Sequence, residues 1–295
     1  MNATTSRGAR TKTVALRPWQ IVVALMTLVV IVLNVLANAL PIAGRTTGEI
    51  SDAFSASLVT PAGYVFSIWG LIYLGLVAYA VWQALPAQAD NPRAQALALP
   101  LIVAHAANAL WIVAWHNLAI GLSLVLMLVL LGSLMVIYVR LRGWGDSPSA
   151  EAPRPRTSRE AKASREPRAR RLPMTTAERL VTRGTFSVYL GWITVATVAN
   201  VTIWFIDLGF VTSFLLLPAV AWAVIALLVA TVLGILMLRR YRDLAYAAVL
   251  VWAFIGIVVM QSGTPLVAAT AVVGALALAF QAALAFRGPG YTART

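Results

Sequence analysis

The chain has no cysteine, so a disulfide framework, a thiolate nucleophile and a Cys-bound metal are all excluded. Histidine occurs only at His105 and His116, separated by about 16 Å of helix axis, too far to share a metal. Charged residues make up 11% of the sequence, about half the share of a soluble domain. None of them falls at the centre of a long apolar run, which removes the usual parts of a proton relay, an ion-coupled carrier or a voltage sensor. No glycine-rich phosphate loop and no metal-ligand spacing occurs. With two histidines and no buried carboxylate, general acid–base catalysis lacks its ordinary parts, and a non-enzymatic role is expected.

What the chain does have is hydrophobicity, at 60% of its 295 residues. Apolar runs of roughly 20 residues recur, long enough to cross ~30 Å of hydrocarbon at ~1.5 Å per residue. Eight spans are predicted, at about 18–42, 61–85, 97–115, 118–139, 184–206, 211–238, 244–261 and 266–286, the seventh being the shortest. The fold class is therefore all-α, a polytopic membrane helix bundle. The first run follows Arg7, Arg10, Lys12 and Arg17 and ends in Ala37-Asn38-Ala39, like a cleavable signal. It is too long for a signal h-region, so an uncleaved first helix is expected.

Eight crossings place both termini on one side, and 22 of the 23 basic residues fall there. Only Arg45 lies opposite, beside Glu49, Asp52 and Asp207. That asymmetry predicts a multi-pass protein of the bacterial inner (plasma) membrane with cytoplasmic termini. The net charge of +13 then reflects orientation and contact with anionic headgroups, and no nucleic-acid partner is expected.

Residues 143–178 break the pattern. Rich in Pro, Ser, Ala and Arg, with no apolar periodicity, they predict a disordered basic cytoplasmic loop touching anionic lipid. The expected organisation is an N-terminal segment 1–17, four helices over 18–142, the loop 143–178, a fifth helix over 179–206, three helices over 207–286 and a tail 287–295. In the last helix Ala271, Ala275, Ala279 and Ala283 recur every fourth residue, a small-residue face suited to close helix packing.

The densest segment is Thr60–Tyr73. Thr60 is a plausible N-cap and Pro61 suits a first helical turn, so a helix is predicted to start there. Phe66, Trp69 and Tyr73 then share one face. Asn34 and Asn38 lie one turn apart on the first helix, His105, Asn108, Trp111 and Trp115 lie close to one face of the third, and Tyr189, Trp192, Ala196 and Asn200 share a face of the fifth. Counted inward at ~1.5 Å per residue, Asn34, Asn38, Trp69, Tyr73, His105, Asn108, Trp111, Trp192 and Asn200 sit roughly 6–21 Å below the outer surface. That shared depth predicts a cavity in the outer half of the bilayer, covered by the 43–60 loop. The competing reading is that the amides are interhelical glue, that His105 is a satisfied packing residue and that Trp19, Trp82 and Trp204 form an interfacial belt.

At these residues the sequence resembles the TspO/MBR family, the tryptophan-rich sensory or translocator proteins. The family's Pro, aromatic, Val/Leu-Phe, Trp and Tyr pattern is similar to Pro61, Tyr64, Val65-Phe66, Trp69 and Tyr73; its third-helix Asn-x-x-Trp is matched by Asn108 and Trp111, and its fifth-helix Trp, small residue and Asn by Trp192, Ala196 and Asn200. The resemblance covers roughly residues 18–206. It departs where Tyr64 replaces a common Trp, where the Phe66–Trp69 spacing is one residue shorter, in the inserted basic loop, and in helices six to eight, which have no counterpart in the family's five-helix fold. It implies a receptor or carrier for a planar apolar ligand, porphyrin-like, haem-like or sterol-like, with no required cofactor. Ligand candidates implied by motif are Trp69, Tyr73, Asn108, Trp111, Trp192 and Asn200; depth and face add Asn34, Asn38, His105 and Phe66. Open alternatives are an intramembrane enzyme using His105 or Tyr73 as proton donor, a facilitative transporter gated by the last helices, and a scaffold centred on the basic loop. A homodimer is compatible with each.

Overall fold

The computed structural model describes residues 16–40, 44–54, 56–143, 174–210, 213–214 and 217–287. Ten helices are found among them: α1 Pro18–Ala39, α2 Thr47–Ala53, α3 Ile68–Ala84, α4 Pro92–His116, α5 Ile120–Gly143, α6 Thr176–Arg179, α7 Thr185–Asp207, α8 Ala219–Tyr241, α9 Leu244–Met260 and α10 Pro265–Arg287. Seven helical segments are long and apolar enough to span a membrane, and α9 is an eighth, shorter one. The expected bundle is therefore present, with the seventh span the short one. α2 is too short and too polar to span and lies at one end of the bundle, called here the α2 end.

Local chemistry explains most boundaries. Pro18 and Pro92 occupy first turns, where a missing N–H leaves nothing unpaired. Asn91 caps α4 by accepting from Arg93 N, and Asp243 caps α9 by accepting from Tyr246 N. α2 begins with a reciprocal capping box: Glu49 N donates to Thr46 Oγ1, while Thr46 N donates to Glu49 Oε2. Arg242, at φ +51°, turns left-handed and ends α8.

Three boundaries differ from expectation. The helix expected at Thr60-Pro61 opens instead as a tight 3₁₀ turn over Gly63–Ser67 and becomes α-helical at Ile68. Thr60 does not cap it; its hydroxyl donates to Ser57 Oγ, 2.6 Å away. The sixth span starts at Ala219 rather than 211, because Ser213–Phe214 pairs antiparallel with Leu217–Pro218 (β1 and β2). The disorder expected for 143–178 falls largely on 144–173, outside the described residues, but its last part is ordered, with Thr175 capping α6. The N-terminal segment before residue 16 and the tail beyond 287 also lie outside them.

α1, α3, α4, α5 and α7 pack as one group, and α8, α9 and α10 as a second; α9 joins the groups by packing along α7. α7 and α8 follow each other in the chain, yet α8 packs on α9 and α10 instead of along α7. In α10 the buried stripe is Val267, Ala271 and Leu278, while Ala279 and Ala283 are exposed. Every fourth residue drifts about 40° around a helix, so the predicted alanine face rotates out of the contact.

At the end opposite α2, two buried ion pairs tie elements together. Arg93 meets Glu178 at 2.9 Å, joining α4 to α6. Arg142 of α5 meets Asp243 at 2.5 Å, and Asp243 Oδ2 also accepts from Tyr138 and Ser187 hydroxyls. One carboxylate thus links α5 and α7 of the first group to the head of α9 in the second.

Candidate functional site

The Gly63–Ser67 turn delivers Phe66 and Trp69 into the bundle, and Tyr73 follows one helical turn later. Trp69 is the hub. It stacks on Tyr73 with centroids 5.4 Å apart and planes at 20°, and it meets Trp111, Tyr189 and Trp192 at 6.2, 5.8 and 6.4 Å. Phe66 packs edge-on against Trp192 at 5.4 Å, and Trp111 stacks on Trp115 at 5.7 Å. The rings that sequence spacing placed on three separate helices therefore converge into one aromatic wall.

That wall divides two spaces of very different size. On one side is a groove of about 680 Å³, bounded by α1, α2 and the start of α3, with Asn34, Asn38, Phe66, Trp69 and Tyr73 on its walls. On the other is a small void of about 20 Å³, touched by Phe66, Trp69, Trp111, Trp192 and Asn200. The groove lies in the range of small-molecule sites, about 300–1,000 Å³. The void has room for about one water. The single cavity expected from sequence is thus two, because the indoles of α4 and α7 fill the space between their own helices. Asn108 and His105 line neither space.

The amides act chiefly as bridges. Asn34 Nδ2 donates to Asn108 Oδ1 at 2.9 Å, and Asn108 Nδ2 donates to Tyr189 OH at 2.5 Å, a chain crossing α1, α4 and α7. Asn200 Oδ1 accepts from Ser123 Oγ at 3.0 Å, linking α7 to α5. His105 Nε2 lies 3.0 Å from Thr27 Oγ1 and joins α4 to α1. His116, expected in an outer loop, is the buried last residue of α4, its Nδ1 3.0 Å from Ile112 O. Asn38 is exposed at the groove, where its Oδ1 accepts from Thr47 N and so holds α2 over the opening. By contrast, the buried indole N–H groups of Trp111 and Trp192 have no hydrogen-bond partner among the described residues.

Sequence spacing missed the rim. Glu49 and Asp52 of α2 both line the groove. Hydrogen bonds from Thr46 N and its hydroxyl, with nearby Arg45, hold the Glu49 carboxyl below its ordinary range. Burial, then the charge of Glu49, push Asp52 above its ordinary value. The Thr46-x-x-Glu49 capping box was the signal that could have disclosed α2. Also missed was the support of the turn from behind by α9. Ala62 N donates to Gly256 O at 3.2 Å, Trp252 Nε1 to Val65 O at 3.0 Å, and Gln261 Nε2 to Ser57 O at 3.4 Å. A Cβ on Gly256 would lie 2.2 Å from Val65 Cγ2, so only glycine permits this approach.

No group of three His, Asp or Glu residues that could hold a metal exists among the described residues. A family model for TSPO-like proteins matches residues 20–284, about nine-tenths of the chain. The match continues past residue 206, where the sequence resemblance stopped, and takes in most of α10. Neither a curated protein nor a solved structure gives a significant match.

Proposed function

This chain belongs to the TSPO-like family and is a multi-pass membrane protein, and from that premise we propose that it binds a planar apolar ligand, porphyrin-like or sterol-like, as a receptor or carrier. The observation that carries this reading is the groove of about 680 Å³ whose wall is the stacked Trp69–Tyr73 pair. A flat ring laid on that wall continues an existing stack. The Asn34 and Asn38 amides, one helical turn apart, add a polar edge to the same groove. Trp111 and Trp192 stand behind the wall as its support, and their unpaired N–H donors favour any acceptor reaching the inner void. The basic residue asymmetry supports an orientation with the groove facing away from the cytoplasm.

Titration of purified protein with protoporphyrin, followed by porphyrin absorbance, tests the reading. Binding is expected to saturate, and Trp69→Ala to weaken it about tenfold, the equivalent of roughly 1.4 kcal/mol of lost stacking and contact. Trp82→Ala, at the opposite end of α3, serves as the control. Unchanged affinity in the Trp69→Ala/Tyr73→Ala double variant ends the proposal.

The acidic rim adds a pH signature. Burial, then the charge of Glu49, raise the Asp52 carboxyl above its ordinary value, so on acidification it gains its proton earlier than a free aspartate does. While charged, it repels the propionates of a porphyrin. Asp52→Asn is therefore expected to tighten protoporphyrin binding severalfold at pH 7, and that advantage should fade as the pH is lowered and wild-type Asp52 is neutralised. Comparing variant with wild type at each pH cancels titration of the porphyrin itself. An advantage that grows on acidification contradicts the assignment.

A further inference from the structure

The sparse packing of α8 along α7 leaves a second cavity, distinct from the groove. It measures about 270 Å³ and is lined by both helices and by Phe254 and Ile257 of α9. Counted inward at ~1.5 Å per residue, its lining from Val201 to Thr194 on α7 and from Ile225 to Leu233 on α8 lies roughly 9–21 Å from the α2 end of the bundle. Both helices report the same depth, well inside the hydrocarbon layer. On the outer face the rim residues Ile225, Val229 and Leu233 are 41%, 53% and 39% exposed, so the cavity opens sideways towards lipid.

Its chemistry is apolar beyond its composition. The two hydroxyls in the lining are already committed: Thr194 Oγ1 donates to Leu190 O and receives Tyr246 OH, and Thr197 Oγ1 donates to Ile193 O. Trp222 at the upper edge turns its indole N–H to Thr202 Oγ1. A space without free polar partners does not retain water. Nor does it suit a porphyrin, whose edge groups would go unpaired. Its volume is nearly twice that of a dry cavity of about 150 Å³ known to take benzene. Without an occupant, the lining would forfeit dispersion contacts on one side.

We propose that the seam between α7 and α8 is a binding site for one acyl chain of a membrane phospholipid, entering between Ile225, Val229 and Leu233. The chain completes the packing that α7 and α8 do not give each other. Val195 lines this cavity and also the small aromatic void, so a single α7 side chain separates the lipid site from the aromatic wall.

The test reconstitutes the full chain in phosphatidylcholine vesicles doped with a phosphatidylcholine bearing a diazirine midway along one acyl chain. After photolysis, labelled residues are mapped by mass spectrometry. Labelling of the 194–201 and 225–233 segments is expected to exceed severalfold that of the lipid-exposed Leu128 and Leu74 on α5 and α3. A diazirine placed at the headgroup should lose this excess. In the Ala226→Phe/Ala230→Phe variant, which fills the cavity, the excess should vanish while labelling at Leu128 persists; Thr197→Val should leave it intact. Even labelling around the bundle, or an excess that follows the headgroup probe, overturns the proposal in the wild type whether or not the filled variant folds. Cross-links of this seam to a second copy of the chain overturn it as well. None of these outcomes depends on porphyrin binding, so failure here and failure of the groove reading are separable.

Discussion

Gly256→Ala is expected to destabilise the protein by about 1–3 kcal/mol and to weaken ligand binding in a groove that Gly256 does not touch. Helix propensity alone predicts the opposite sign, because replacing an interior glycine with alanine ordinarily stabilises a helix by about 1 kcal/mol. Contact decides against propensity here. The added Cβ would sit 2.2 Å from Val65 Cγ2 and 3.0 Å from Pro61 Cβ. Val65 is β-branched and stiff at χ1, and proline is rigid, so neither can swing aside cheaply. The relief available is to push the 3₁₀ turn away from α9, stretching the Ala62 N to Gly256 O and Trp252 Nε1 to Val65 O bonds. Phe66 and Trp69 ride on that turn, so the aromatic wall moves with it. Thermal unfolding in detergent and porphyrin titration should both register the change. Val65→Ala removes the clashing methyl, and the double variant should recover part of the loss; such non-additivity marks direct contact. A neutral or stabilising Gly256→Ala would show that the helix does not bear on the turn.

Asp243→Ala is expected to cost more, about 3–5 kcal/mol, as removing one partner of a buried ion pair does. The side chains of Arg142 and Asp243 are 16% and 3% exposed, and the guanidinium also lies over the Tyr138 ring at 4.8 Å. Alanine leaves Arg142 without its carboxylate and strips acceptors from Tyr138 and Ser187. It also removes the cap from Tyr246 N, a further share of about 0.5–2 kcal/mol. Asp243→Asn keeps a capping oxygen and should fall between alanine and wild type. Replacing Arg142 and Asp243 together with methionine and leucine should cost less than alanine alone, since no buried charge is then abandoned. Denaturant unfolding of the purified variants ranks them, and a loss below about 1 kcal/mol for Asp243→Ala would refute the latch.

Much of this architecture was readable from composition and periodicity. Eight apolar stretches gave eight spans because a bilayer demands a fixed length of hydrocarbon from each. The faces holding Trp69, Trp111 and Trp192 were right, since helical phase is local arithmetic. What periodicity could not supply was distance between helices. Whether three indoles enclose a hollow or fill it depends on how closely α4 and α7 approach, and that is set by residues far apart in sequence. The same limit hid Gly256, an unremarkable glycine until Val65 is seen against it. Thr60-Pro61 misled for another reason: both residues favour a helix start, but Ala62 N is drawn to an α9 carbonyl and the chain winds tightly before it can settle into α geometry. The asparagines were ambiguous in principle, since an amide that bridges helices and one that greets a ligand have the same spacing.

The bonds from α9 to the Pro61–Ser67 segment also bear on how this protein can be cut down. A fragment ending after α7 would keep every motif residue named by resemblance, yet it would lose the backbone acceptor at Gly256 and the indole donor at Trp252. The Trp69–Tyr73 stack would then hang from an unanchored hinge. A minimal binding unit must therefore run from α1, which lines the groove, through α9, which anchors the turn.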